Sequence, residues 1–261
     1  MQRIDDISNP LLITQLRKEF LENGFIFFPN FLNKEEIVIV QQKISEFIEE
    51  KVKDMPESMV YYEDINDKST LKQLQLLFEF DPFFSELMFG SRFEKLASIL
   101  LEDDVTGKNI QYFNKPPIIG KPTPPHQDGY YFMLEPNEAV TMWMALEPVD
   151  QENGCIRYIK ASHNKGMRPH GRTTTLGFSQ GISDYGEHET EEDEIFFPTK
   201  AGDLLVHHSL TIHRADGNTS ENRSRKAMGF IYYAKKAKED TKAHQDYAED
   251  LVQDLVKQDK I

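Results

Sequence analysis

The sequence has little of several features that mark common classes of protein. It contains a single cysteine, Cys155, which excludes internal disulfides and multi-thiolate metal sites and favours a reducing, cytoplasmic setting. No apolar run approaches the roughly 18 residues of a membrane span. The first residues, MQRIDDISNP, lack the charged-then-apolar pattern of a secretory signal. We therefore expect neither a membrane-embedded nor a secreted protein.

Positive charge is also scarce. The 261 residues include 30 lysines and arginines against 44 aspartates and glutamates, a formal net charge of −14 at pH 7. Nucleic acids and anionic membranes both need a basic face, so neither is expected as a partner. Part of the acidity is local, because residues 186–195 contain six acidic side chains. This segment is interpreted as a solvated loop, with a mobile cover over a site as the alternative, and the oligomeric state stays open.

The chain reads as helices first and strands afterwards. Residues 1–108 are predicted to be mainly helical, with Asn33 and Glu36 forming a capping box at the start of a long amphipathic helix. In residues 109–234, short apolar runs are separated by Pro, Gly and Asn-Gly, which is typical of an all-β sandwich or barrel. Residues 235–261 are predicted to form a charged amphipathic helix. Together these parts are interpreted as a single domain.

Two histidines and an aspartate form the most informative pattern. His126 and Asp128 lead into GYYFML, which is predicted to be a strand, and His213 follows another predicted strand far downstream. On a strand, residues i and i+2 share a face, so both side chains can reach one ion. Two imidazoles and one carboxylate suit a non-haem Fe(II) with open coordination positions, which favours an oxygenase over a hydrolase.

A second HQD, at His244–Asp246, serves as an internal control. It lies in a charged stretch with helical spacing, where residues i and i+2 point about 200° apart and cannot chelate one ion. No histidine follows it to complete a set of three. His244 is therefore interpreted as a solvated helix residue.

Arg225 is the candidate partner for an acidic co-substrate. Strand alternation places it on one face with Ala227, Gly229 and Ile231. A lone arginine on a small, apolar, inward face needs an anion, because an unpaired buried charge is costly. The fork geometry of its guanidinium suits a carboxylate.

The chain resembles the phytanoyl-CoA hydroxylase family of Fe(II)- and 2-oxoglutarate-dependent dioxygenases in HQDGYYF, MWMALEPVDQENGCIRYIKASHNKG and GDLLVHHSLTIHRADGNTS, the last followed by RKA. The resemblance covers most of residues 109–234 in the right order. It implies a mainly β fold with flanking helices, namely a double-stranded β-helix, or cupin-like jelly roll. It also implies that His126, Asp128 and His213 bind the iron.

A co-substrate pocket is implied in the same way. The arginine that binds the C5 carboxylate of 2-oxoglutarate corresponds to Arg225, with Arg223 as a competitor because the spacing is one residue looser than in some relatives. Other family positions that line this pocket correspond to Lys72, Gln111, Gln127 and Trp143. Of the adjacent pair His207 and His208, alternation turns only one inward, and the resemblance assigns that place to His208, as a residue that does not bind metal.

These residues and the resemblance together imply an enzyme that uses Fe(II), 2-oxoglutarate and O₂ to hydroxylate a C–H bond of a small organic metabolite, releasing succinate and CO₂. Ascorbate is the reductant expected in vitro. Asp128 favours hydroxylation, because family members that halogenate have a small residue at that position. The alternatives are an acyl-CoA 2-hydroxylase of the phytanoyl-CoA type, and a non-catalytic or 2-oxoglutarate-independent jelly-roll metal-binding protein. The acidic balance argues against the first alternative, and Arg225 argues against the second.

Overall fold

A computed structural model of the protein describes residues 9–175, 178–189 and 191–243, together with residues 245, 247 and 249. The α-helices with both ends in these residues are α1 (Pro10–Asn23), α2 (Lys34–Glu50), α3 (Pro82–Met88), α4 (Arg92–Leu101) and α5 (Gly129–Phe132). The strands are β1 (Phe25–Phe28), β2 (Val60–Tyr62), β3 (Leu71–Leu74), β4 (Val105–Lys115), β5 (Thr123–His126), β6 (Leu134–Glu135), β7 (Ala139–Ala145), β8 (Ile156–Ile159), β9 (His170–Thr175), β10 (Phe178–Ile182), β11 (Glu194–Phe197), β12 (Leu204–His208), β13 (His213–Ala215), β14 (Arg225–Ala234) and β15 (Lys238–Glu239).

The amino-terminal helices begin and end where local chemistry dictates. The Asn9 side chain accepts from the backbone of the first turn of α1, and Gly24, with φ of 84°, ends that helix in the left-handed conformation. Asn33 and Glu36 form the predicted capping box at the start of α2. These caps satisfy backbone groups that the helices themselves leave unpaired.

Two antiparallel sheets build the core. The larger, here called the major sheet, has seven strands in the order β1-β12-β7-β14-β4-β3-β2. The minor sheet has four, in the order β11-β8-β13-β5. The helices pack outside, for example where Phe93 of α4 stacks on Phe230 of β14 with ring centroids 4.2 Å apart. The predicted mainly β jelly roll with flanking helices is confirmed.

The first third of the chain belongs to this architecture as much as the rest does. Its strands β1, β2 and β3 extend the major sheet on both edges. One apolar cluster contains side chains of both sheets and holds the two sheets together. It includes Phe25, Trp143, Leu205 and Ala227 from the major sheet, and Ile156 and Tyr158 from the minor sheet.

The structure corrects the strand predicted for GYYFML. After β5 the chain turns at Asp128, whose φ and ψ are −57° and −33°, into the short helix α5 and only then into β6. Tertiary hydrogen bonds hold this turn, since Gly129 N donates to Ser209 O at 2.8 Å and Asn137 Nδ2 donates to Gly129 O at 2.9 Å. These contacts outweigh the strand propensity of the two tyrosines.

The carboxy-terminal stretch also differs from its prediction. Lys238–Glu239 form β15, which pairs with β6, and helical backbone begins only at Thr241 rather than near Lys235. His244, the histidine of the second HQD, lies outside the described residues. None of the helices in the described parts of the chain is both long and apolar enough to span a membrane.

The acidic segment 186–195 is only partly solvated. Glu189 and Glu194 are buried, at 4% and 7% exposure. Glu189 is paired with Arg168, and Glu194 accepts from Arg157 at 2.8 Å and from Arg214. Burial of a carboxylate requires such partners, so the interpretation as a solvated loop was wrong for these two residues.

Candidate metal centre

Two of the predicted metal ligands face each other across neighbouring strands. His126 ends β5 and His213 begins β13, and the two are directly opposite in the antiparallel register. Their Nδ1 atoms lie 2.8 and 3.0 Å from the carbonyl oxygens of Pro124 and Thr211, so each Nδ1 carries a proton and each Nε2 presents a lone pair. Burial, followed by the neighbouring His126 and His207, lowers the pKa of His213 well below its ordinary value.

Asp128 brings a carboxylate to the same point. It lies two residues beyond His126, and its Oδ1 is 3.3 Å from His126 Nε2 and 3.7 Å from His213 Nε2. Burial alone raises the pKa of a carboxyl group, but the neighbouring imidazoles, His213 first, outweigh it and hold the pKa of Asp128 well below its ordinary value. The group is therefore ionised, as a metal-binding carboxylate must be.

These donor atoms fit a metal ion. One ligand atom from each of His126, Asp128 and His213 lies within 4.8 Å of the others. For comparison, adjacent ligands on an ion with bonds of about 2.1 Å lie about 3 Å apart. Two neutral imidazoles and one carboxylate form the facial donor set of non-haem Fe(II). The structure thus brings the three predicted ligands together.

Two side chains of the major sheet contact the other oxygen of Asp128. Thr141 on β7 and His207 on β12 are direct cross-strand neighbours. Thr141 Oγ1 donates to Asp128 Oδ2 at 2.5 Å, and His207 Nε2 lies 3.1 Å from the same oxygen. Sequence reasoning missed both roles, because only the approach of the two sheets brings these side chains to Asp128.

His207 therefore takes the inward place that the resemblance assigned to His208. The side chain of His208 points to the opposite face of the strand, where its ring lies 6.1 Å from Phe20 and 5.5 Å from His163. Burial among these side chains lowers the pKa of His208 to about 4. Alternation correctly required that one histidine face inward, but the choice of His208 was wrong.

The metal centre opens into a cavity of about 470 Å³ between the sheets. Arg225 lines it and is 5% exposed, with its guanidinium 5.5 Å from the ring of Trp143. No carboxylate of the described residues forms an ion pair with Arg225, and its Nε makes no hydrogen bond. Burial lowers its pKa to about 10. Because a buried, unpaired guanidinium is costly, this position suits a bound carboxylate.

Arg223, the competitor of Arg225, has a different environment. It lies outside the cavity, and its guanidinium nitrogens are each 2.9 Å from a carboxylate oxygen of Asp150. Glu152 provides a further acidic partner. With its charge already balanced, Arg223 needs no ligand, and the geometry favours Arg225.

Three of the other predicted pocket residues line the cavity. Trp143 lies beside Arg225, as described above, and Lys72 and Gln111 are buried nearby. Lys72 Nζ is 3.1 Å from Glu63 Oε1, and Gln111 Oε1 accepts from Gln73 at 2.7 Å. Each is already held in place by a protein partner.

The structure does not bring the side chain of Gln127 to the cavity. Its Nε2 donates to the carbonyl oxygens of Gly166 at 2.9 Å and Leu210 at 2.7 Å, and its Oε1 accepts from Arg168 N at 2.7 Å. The amide is fully used by backbone groups. Gln127 therefore ties a loop to the site rather than facing a co-substrate, contrary to its prediction.

Lys115 is a cavity residue that sequence reasoning missed. It is the cross-strand neighbour of Arg225 and is 4% exposed. Its Nζ donates to Asp216 O at 2.6 Å. Burial and the nearby Arg225 lower its pKa well below the ordinary value. The signal that could have found it is the pairing register of β4 with β14, which the sequence does not display.

The chain matches the model of a known family, described as phytanoyl-CoA dioxygenase (PhyH), over residues 20–227. It is 28% identical over 235 residues to the peroxisomal phytanoyl-CoA dioxygenase of Mus musculus, which covers 82% of this chain and 67% of the mouse protein. It is 27% identical over 259 residues to the phytanoyl-CoA dioxygenase domain-containing protein 1 of Bos taurus, covering 83% and 88% of the two chains.

A solved structure shows the same fold. The epimerase SnoN, in complex with Fe3+, alpha ketoglutarate and nogalamycin RO, superposes with a TM-score of 0.68 at 18% identity. The match covers 88% of this chain and 87% of SnoN. At this level of identity the likeness establishes the shared jelly roll.

Proposed function

Because the chain belongs to the phytanoyl-CoA dioxygenase family of Fe(II)- and 2-oxoglutarate-dependent oxygenases, we propose that this enzyme hydroxylates a C–H bond of a small organic metabolite. The resemblance inferred from the sequence is confirmed. In the proposal, His126, Asp128 and His213 bind iron, and Arg225 binds the C5 carboxylate of 2-oxoglutarate. The observation that carries it is a buried guanidinium that has no carboxylate partner among the described residues and lies in the same cavity as a His-Asp-His donor set.

Iron and 2-oxoglutarate, when bound with O₂, would supply the oxidising chemistry and the release of succinate and CO₂. The protein's own residues provide geometry and charge. His126 and His213 hold their Nε2 lone pairs toward one point because their Nδ1 atoms donate to backbone carbonyls. Asp128 adds one negative charge. A carboxylate at position 128 would occupy the coordination position that halogenating family members leave free for a halide, which favours hydroxylation.

Arg225 would orient the co-substrate by pairing with its far carboxylate. Trp143 lies beside the guanidinium, and Lys72 and Gln111 line the same cavity. A charge-assisted, two-point contact in a desolvated pocket restricts both position and direction of the ligand. Burial of all four side chains limits access of water to this end of the cavity.

The rest of the cavity favours a compact substrate with an apolar or ring-shaped surface. Tyr61, Tyr131, Phe132, Ile231 and Tyr233 line it. The hydroxyls of Tyr61 and Tyr131 donate to backbone carbonyls at 2.8 and 2.7 Å, so the rings rather than the hydroxyls are left for a ligand. Aromatic walls bind by contact area and by ring stacking.

Two of the cations that line the cavity are not free to bind the phosphates of coenzyme A, which the name of the mouse relative includes. Lys108 is 2.8 Å from Glu239, and Arg214 is paired with Glu194 and Asp216, so these cations are already neutralised. A cavity of about 470 Å³ that also holds 2-oxoglutarate leaves room for a small molecule. We therefore expect a free metabolite rather than an acyl-CoA thioester.

Turnover of 2-oxoglutarate provides the test. Purified protein would be supplied with Fe(II), ascorbate and 2-oxoglutarate, and succinate measured with a panel of free acids, amines and phosphonates beside branched acyl-CoA thioesters. Substrate-dependent succinate with a free metabolite supports the proposal. Efficient, saturable oxidation of an acyl-CoA would instead establish the acyl-CoA 2-hydroxylase. Absence of both 2-oxoglutarate binding and turnover would leave a metal-binding protein without oxygenase activity.

A further inference from the structure

His207 connects the two sheets at the metal centre. It lies on β12 of the major sheet, and its Nδ1 is 2.8 Å from the hydroxyl of Tyr158, which lies on β8 of the minor sheet. Its Nε2 is 3.1 Å from Asp128 Oδ2. Tyr158 is in turn the cross-strand neighbour of His213. A chain of hydrogen bonds thus links the strand beside one proposed iron ligand to the side chain of another.

The chemistry of these contacts determines the position of the proton on His207. A carboxylate oxygen only accepts, so Nε2 must carry the proton and donate to Asp128. The other ring nitrogen, Nδ1, forms its hydrogen bond with the Tyr158 hydroxyl. Burial raises the pKa of Tyr158 well above its ordinary value, so this hydroxyl keeps its proton.

Thr141 completes the surroundings of the carboxylate. Its Oγ1 donates to the same Oδ2 at 2.5 Å, from the position directly opposite His207 in the sheet. Oδ2 of Asp128 therefore has two donors. Oδ1 instead faces the Nε2 atoms of His126 and His213, at 3.3 and 3.7 Å. The two oxygens of one carboxylate have different tasks.

We propose that His207 and Thr141 are positioning residues that occupy Oδ2 of Asp128, so that Oδ1 alone is presented to the metal. The inference rests on the proposed iron-binding function of the site. A carboxylate can bind an ion through one oxygen or two. Holding Oδ2 in hydrogen bonds limits Asp128 to one coordination position and leaves the others for exchangeable ligands. Tyr158 acts one step further away, by orienting the ring of His207.

Metal affinity, measured without turnover, tests this role. Co(II) would be titrated anaerobically into the full-length protein, with binding followed by visible absorption, and folding checked by circular dichroism and thermal unfolding. His207→Leu removes the donor at similar volume, whereas His207→Gln keeps an N–H at similar reach. Thr141→Val removes the second donor almost isosterically. His208→Gln is the matched control, since this neighbour points to the opposite face of β12.

We expect His207→Leu to weaken Co(II) binding about 10- to 100-fold, the usual effect of losing a partner that orients a metal ligand. Its Co(II) spectrum should also change, because the coordination of Asp128 changes. His207→Gln should lie within about threefold of wild type, and Thr141→Val should weaken binding about tenfold. His208→Gln should match wild type in affinity and spectrum.

The proposal is overturned if folded His207→Leu keeps the wild-type affinity and spectrum, or if His207→Gln binds Co(II) no better than His207→Leu. Should His207→Leu not fold, Thr141→Val decides in its place, and an unchanged affinity in that variant refutes the inference. A wild-type protein that binds neither Co(II) nor Fe(II) would refute the proposed function itself, and this inference with it. If the wild-type protein binds metal and the variants bind it equally well, only the positioning role of His207 and Thr141 is refuted.

Discussion

Replacing Arg225 with methionine should remove tight binding of 2-oxoglutarate while leaving the ligand-free fold intact. A desolvated, charge-assisted pair with a carboxylate is typically worth about 2–5 kcal/mol. At about 1.4 kcal/mol per factor of ten, this corresponds to a loss of affinity from about 30-fold to several thousand-fold. Since Arg225 is only 5% exposed, we expect the upper part of this range.

The same substitution, Arg225→Met, should not lower the stability of the ligand-free protein. Without a bound anion, Arg225 has no carboxylate partner among the described residues, and burial already lowers its pKa to about 10. Removing an uncompensated buried charge relieves a desolvation penalty, and methionine retains much of the packing against Trp143. The melting temperature of Arg225→Met should therefore equal or exceed that of wild type.

The single tryptophan of the chain makes the assay direct. Trp143 lies 5.5 Å from the Arg225 guanidinium, so its fluorescence should report 2-oxoglutarate entering the pocket. The dissociation constant from this titration would be compared with the KM for 2-oxoglutarate in succinate formation. Arg223→Met is the matched control, because its charge is balanced by Asp150 and Glu152 outside the cavity.

Two results would refute this reasoning. An Arg225→Met protein that binds 2-oxoglutarate within about threefold of wild type would show that no strong ion pair forms there. A larger defect in Arg223→Met than in Arg225→Met would show that the other arginine anchors the co-substrate.

Three further predictions concern the metal ligands, the buried Glu194 and the side-chain amide of Gln127. His126→Ala or His213→Ala should abolish Fe(II) binding, because two remaining ligands hold a labile ion poorly, whereas His244→Ala should leave binding unchanged; the reverse pattern in a metal titration would refute the assignment. Glu194→Gln should lower the free energy of unfolding by about 3–5 kcal/mol in denaturant titrations, since it breaks buried ion pairs. Burial raises the pKa of Glu194, but its arginine and tyrosine partners outweigh burial and lower that pKa below 4.5. The stabilisation that Glu194 provides is therefore present above this pH and is lost as the pH falls. Equal pH profiles of the unfolding free energy for variant and wild type would contradict this prediction. Gln127→Ala should lower the stability by about 2–4 kcal/mol with an unchanged KM for 2-oxoglutarate; a raised KM with an intact fold would return this residue to the co-substrate site.

Local patterns predicted much of the fold. Asn33 and Glu36 form their capping box, Gly24 ends its helix, and the apolar runs after residue 108 become strands of a jelly roll. These features depend on residues that are close together in the chain, so the sequence itself shows the chemistry that determines them. The strand predicted for GYYFML was wrong because hydrogen bonds to Ser209, far along the chain, and to Asn137, several residues away, determine its backbone conformation.

The candidate site shows the same division. Spacing suggested that His126 and Asp128 could reach one ion, and their donor atoms do lie close together, although Asp128 follows the strand rather than belonging to it. Alternation correctly required a single inward residue of His207 and His208. Alternation has a period of two but no absolute direction, so it could not say which histidine faces inward. The prediction that Gln127 lines the co-substrate pocket was wrong for a related reason. Its neighbours in sequence do not reveal that its side-chain amide donates to the carbonyl oxygen of Gly166 in a distant loop.

By itself the sequence determined the kinds of donor atom, the mainly β class of the fold and the family to which the chain belongs, because all three depend on residue types and their local spacing. Only the tertiary structure decided which donors meet. The register of β5 with β13 sets His126 opposite His213, and the approach of the major sheet brings His207 and Thr141 to Asp128. Strand register and sheet packing depend on contacts between residues far apart in the chain, and those contacts exist only in the folded protein.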